Sequence, residues 1–230
     1  MERKVSILII AFMLIMCISL AGFYSSYLKY FPDFSKFPLL IHIHFLAFVV
    51  WFGVLIVQPI LIKKRNYNLH RIIGKAGYIL IPILVITIVF MVLHQVKIIY
   101  LKKPELASLT AFVGFIDVIS ILVYYSIAMI NRKNIRWHVA FIIACSLVIL
   151  NPGLSRLLNP LKPGLGIMVA VILPIMVSVS ILIYEKLKYK YSIIKSPYLL
   201  FLCCWIIEVL LLFTIPKTEV WKVFVQTIAS

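Results

Sequence analysis

In a chain of 230 residues, 64% are hydrophobic, 13% are charged and the mean hydropathy is +1.12, which excludes an ordinary soluble domain. The net charge of +16 does not point to nucleic acid. Lys and Arg stand in short segments between long apolar runs, where lipid headgroups and topology account for them.

An apolar helix of about 20 residues, rising 1.5 Å per residue, spans the hydrocarbon core of a bilayer. Such runs predict an all-α, polytopic transmembrane bundle, one integral membrane domain over 1–230. About seven spans are expected, near 5–26, 38–62, 71–97, 107–130, 138–158, 165–186 and 197–215. The first, VSILIIAFMLIMCISLAGFYSSYL, is long and lacks a small-residue cleavage pattern, so it reads as a retained anchor helix rather than a signal peptide. Basic residues are denser on the side of the N-terminus, 63–75, 132–136 and 186–195 than on the other. That side is expected to be cytoplasmic, with the N-terminus inside and the C-terminus outside. Cys17, Cys145, Cys203 and Cys204 all fall inside apolar runs without a CxxC spacing and read as small buried residues.

Span two carries His42 and His44 at its outer end, Gln58 toward its inner end and Trp51 between them. In a helix, residues two apart point about 200° away from each other, so His42 and His44 cannot chelate one ion unless the helix start unwinds. His44 lies about 9 Å into the span, and His94 lies near the outer end of span three, so the two share the outer leaflet. A short repeat precedes spans three and five: Lys64, Arg65, Asn66 to His70, and Arg132, Lys133, Asn134 to His138. It predicts that His70 and His138 enter at one inner level. The plainer reading of these two histidines is binding of lipid phosphate or capping of a helix start. Asn151, Pro152 and Gly153 predict a break in span five, with Arg156 beyond it. Asp117 and Glu208 fall near the middle of spans four and seven, where an ionised carboxylate costs a few kcal/mol at least. The expected result is an interior polar column from His44 and His94, through Asp117 and Glu208, to Gln58 and His138.

Three chemistries compete for that column. A b-type haem takes one neutral imidazole from each of two helices at one depth. His44 with His94 is the first candidate pair of iron ligands and His70 with His138 the second, for electron transfer or respiratory-complex assembly. Since His70 and His94 are roughly 36 Å apart along one helix, one haem fits better than two. The second chemistry is proton-coupled transport, with Asp117 and Glu208 loading and releasing protons and Gln58, Asn151, Arg156 and His42 as polar lining. A metal site on His42 and His44 ranks last. Each intramembrane polar residue also has the plain reading of a hydrogen bond to a neighbouring helix. A seven-helix retinal protein is excluded, because PYLLFLCCWIIEVLLLFTI holds no lysine.

His44 and Gln58, then His70, Arg71, Ile72, Ile73, Gly74 and Lys75, then His94, the Arg132–Lys133–His138 segment and Asn151 to Arg156 together resemble an uncharacterised family of bacterial multi-pass membrane proteins. That family carries an H…Q…HR..GR element, a basic RR…H(K/R).LM element and a Pro-small-x-x-R helix end. The resemblance covers roughly residues 40–156 and implies topology and a bacterial inner (plasma) membrane location more than a reaction. Val139 and Ala140 stand where a basic and a bulky residue usually follow the second His. A looser analogy to di-haem b-type cytochromes rests on paired histidines alone. The expected partners are the lipid bilayer and other membrane or respiratory proteins.

Overall fold

The computed structural model describes residues 2–230, with side chains described from Val5 onward. Among the described residues it is 83% helical without strands. The α-helices are α1 (Glu2–Tyr24), α2 (Leu39–Lys63), α3 (Tyr67–Gly74), α4 (Gly77–Tyr100), α5 (Pro104–Ile130), α6 (Ile135–Leu158), α7 (Leu165–Tyr189), α8 (Pro197–Thr214) and α9 (Glu219–Ala229). Seven helical segments are long and apolar enough to cross a membrane, α3 and α4 together forming the third. The expected bundle is therefore present, with span ends within a few residues of those read from the sequence.

Short polar signals set the helix ends. Asn66 and Asn134 cap α3 and α6 by accepting from the backbone N–H of Leu69 at 3.1 Å and of Trp137 at 3.4 Å. Pro104 and Pro197 open α5 and α8 at the position where a missing N–H costs nothing. Arg65, at φ 58°, turns the chain out of α2 in a left-handed conformation.

Two expectations change, and one further element is present. Span three is two helices, because Lys75 and Ala76 form a turn, flanked by Gly74 and Gly77, that separates the short α3 from α4. Span five does not break at Asn151–Pro152–Gly153: α6 runs through Pro152 to Leu158. Gly153 instead lets α1 approach, since a Cβ there would sit 2.7 Å from Ser19 Cα. Finally, α9 is an amphipathic helix too short to span a membrane. Its Val225 and Ala229 pack with Val92, Val96, Ala107 and Ala111 near the turn of the α4–α5 hairpin. The main core lies inward of this, around Trp51, Leu84, Tyr124, Phe141, Val148 and Phe201.

Candidate intramembrane site

α5 carries Asp117, Ser120 and Tyr124 at i, i+3 and i+7, so all three lie along one face. Glu208 comes to that face from α8, and its carboxylate accepts a short hydrogen bond from the Tyr124 hydroxyl. Ser120, 2% exposed, lies beside the same carboxylate without closing a regular hydrogen bond. From α6, the Asn151 amide faces the Asp117 carboxyl group, on which the charge of Glu208 also acts. Tyr124 is held by ring contacts to Phe141 at 5.9 Å and, edge-on, to Phe201 at 5.3 Å between centroids. Three helices thus place two carboxyl groups, a phenol and an amide in one region of an apolar bundle, with the Tyr124–Glu208 hydrogen bond joining α5 to α8.

Tyr124 and Ser120 were not singled out in the sequence. The signal was there in DVISILVY, where both follow Asp117 at helical same-face spacing. A tyrosine among many apolar residues reads as packing until a neighbouring helix supplies a carboxylate.

The outer histidines are arranged differently from expectation. His44 Nδ1 lies 2.8 Å from Thr87 Oγ1 on α4. The single Thr87 hydroxyl proton is directed at the Ile83 and Leu84 carbonyls, at 2.8 and 2.9 Å. His44 therefore donates from Nδ1 and keeps its lone pair on Nε2. His94 is seven residues beyond Thr87, about 10 Å further along α4, and its side chain is exposed. The structure brings His44 to Thr87 and not to the level of His94, because α4 projects well past the start of α2. His42 is engaged elsewhere: it accepts from the Tyr27 hydroxyl at 2.6 Å and donates to the Phe37 carbonyl at 3.2 Å. Arg156 donates to the Pro152 carbonyl at 3.1 Å and stacks 4.6 Å over the Phe23 ring. Its charge reaches His44.

The inner histidines occupy equivalent places. The backbone N–H groups of His70 and His138 donate to the Asn66 and Asn134 carbonyls at 3.1 and 2.9 Å, so the sequence repeat is a repeated helix start. His138 Nδ1 donates to the Ala128 carbonyl at 2.9 Å, which leaves the Nε2 lone pair free. Gln58 Nε2 donates to the His70 carbonyl at 3.1 Å. Among the described residues, no three or more His, Cys, Asp or Glu side chains form a group able to hold a metal ion.

A groove of about 1110 Å³ opens between α5, α7, α8 and α9, lined mainly by apolar residues such as Leu109, Val171, Leu212 and Phe213. Asp117, Tyr124, Asn151 and Glu208 do not line it. No protein-family model, no curated protein and no solved structure matches this chain.

Proposed function

We propose that this chain is a proton-coupled membrane transporter in which Asp117 and Glu208 exchange protons. The observation that carries the reading is the Tyr124–Glu208 bond inside the bundle, with Asp117 two turns back along the same face of α5. Two carboxylates in an apolar interior are costly when both are ionised. Gain or loss of one proton is the least demanding change of charge for such a pair, and the Tyr124 hydroxyl holds Glu208 in place while it occurs. The setting we propose is a bacterial inner membrane, with the N-terminus cytoplasmic and with kinship to the multi-pass family described above.

The test is proton flux into liposomes holding the purified protein and a trapped pH-sensitive dye, driven by an imposed potential. Asp117→Asn and Glu208→Gln should each slow the flux by about a hundredfold, with unchanged yield and folding. Flux equal to that of the unaltered protein in both variants would remove the reading.

A second reading is a redox role with haem b, supported by one feature: the bond from His138 Nδ1 to the Ala128 carbonyl presents Nε2 as a ligand, and His70 stands at the equivalent helix start. The residues available for it are His70 and His138. Protein purified from haem-replete cells should then show a dithionite-reducible Soret band that His138→Ala abolishes. A colourless preparation sinks this reading and leaves the transporter reading intact.

A further inference from the structure

Five side chains between α2, α3, α4 and α5 bury a polar atom that finds no partner within the protein: Trp51 Nε1, Gln58 Oε1, His70 Nδ1, Ser120 Oγ and Tyr125 OH. Trp51 is 2% exposed and Tyr125 8%. Buried polar atoms in proteins are almost always paired, with protein or with ordered water, and the apolar surroundings of a membrane span sharpen that requirement. The two other such atoms, on Ser19 and Ser178, are isolated hydroxyls on α1 and α7.

Gln58 and His70 lie at the α2–α3 contact, Trp51 and Tyr125 at the α2–α5 contact, and Ser120 beside Glu208. Gln58 is bonded to the His70 carbonyl, and Gly74 leaves the Gln58 amide room, a Cβ there reaching it at 3.5 Å. Trp51 lies two turns along the same face of α2 and meets Tyr125 edge-on, with ring centroids 6.0 Å apart. Gly77 lies directly against the Tyr125 hydroxyl, so any larger residue would occupy that place. Tyr125 follows Tyr124 in α5, and Ser120 lies on the Tyr124 face of that helix. The atoms alternate in kind: an indole N–H that donates, an amide oxygen that accepts, and an imidazole nitrogen and hydroxyls able to do either. Separate points of mixed donors and acceptors suit several water molecules better than one ligand headgroup or ion. On the opposite side of the carboxyl pair, His42, His44 and Thr87 are all bonded within the protein.

We infer that these residues bind a chain of water molecules, a hydrated access path from the face carrying α3, His70 and His138 to the Tyr124–Glu208 pair. The path deepens the transporter reading, on which it rests only for its destination. A proton arriving on this water is taken up by the Glu208 carboxylate to give the neutral acid, and its later release restores the carboxylate, so no other reactant is consumed.

Two measurements test the path. In protein whose four native cysteines are replaced, Gln58→Cys and Trp51→Cys should react with a small, membrane-impermeant cationic methanethiosulfonate added on the α3 side. Val57→Cys, at a position 36% exposed on the outer surface of the bundle, should not. Because Trp51→Cys removes a core side chain, the unaltered protein is also labelled by hydroxyl radicals generated from water in a brief X-ray exposure. Trp51 and Tyr125 should be oxidised there while Phe141, fully buried in the apolar core, is not. If Gln58→Cys stays as unreactive as Val57→Cys, and Trp51 and Tyr125 label no faster than Phe141, the path does not exist. A dry cluster with proton flux still dependent on Asp117 would overturn the path alone. A labelled cluster with flux indifferent to Asp117 would keep the path and overturn the transporter reading.

Discussion

Asn66 and Asn134 have no neighbours in common, yet each does the same thing: its side chain closes the first turn of a helix and sets a histidine four residues later. Replacing either by Ala removes a helix cap, worth about 1 kcal/mol. Asn66→Ala and Asn134→Ala should each lower the thermal midpoint in detergent by a few degrees, as followed by circular dichroism. Tyr27 acts outside the spans, under Phe34, Phe37 and Phe45, and burial raises its pKa above the ordinary 10.0. The folded chain therefore holds the phenol proton more tightly than the unfolded chain does. That stabilisation is complete below the ordinary value and is lost as pH rises through the raised one. Unfolding midpoints should fall on going above about pH 10, and Tyr27→Phe should reduce that fall. The capping asparagines and the repeat could be read from the sequence as a pattern. The bond from Tyr124 to Glu208 could not, since the partners lie far apart in the chain and nothing in either segment names the other.

Between elements, close approach is decided by small residues. Gly22 of α1 and Gly153 of α6 face each other, and a Cβ on Gly22 would collide with the Gly153 carbonyl. Helices in a bilayer associate through such packing, having no hydrophobic drive between them. Gly22→Leu should cost about 1–3 kcal/mol by overpacking, seen as a lower midpoint in mild detergent. At the other end of α6, Arg136 donates to Glu185 of α7 at 3.0 Å and stacks 4.6 Å from the Tyr191 ring. The Ser196 hydroxyl, which caps α8, donates to the same Glu185 carboxylate. A double-mutant cycle with Arg136→Gln and Glu185→Gln should give a coupling of about 0.5–3 kcal/mol. A value near zero would mean that the pair is solvated and idle. The glycines were visible in the sequence, but Gly153 looked like part of a helix break. Only the position of α1 shows that it is a contact point within an unbroken helix.

At the scale of the whole molecule, seven crossings would place the two ends of the chain on opposite faces. Residues 64–66 and 131–134 then share one face, and 101–103 and 159–164 the other. Single cysteines in the first pair should label from one side of sealed vesicles and those in the second pair from the other. Labelling of both pairs from one side would show that the third, fourth and fifth spans do not cross. The sequence by itself determined the class, the number of spans and the depth of Asp117 and Glu208, because length and hydropathy are local properties that the bilayer thickness converts directly into geometry. Tertiary structure alone decided which polar residues meet. The projection of α4 beyond α2 set His44 on Thr87 rather than level with His94, and the rotation of α5 and α8 joined Glu208 to an unnoticed tyrosine on the helix face that carries Asp117. Helix offset and rotation arise from packing between distant segments, which no single stretch of sequence encodes.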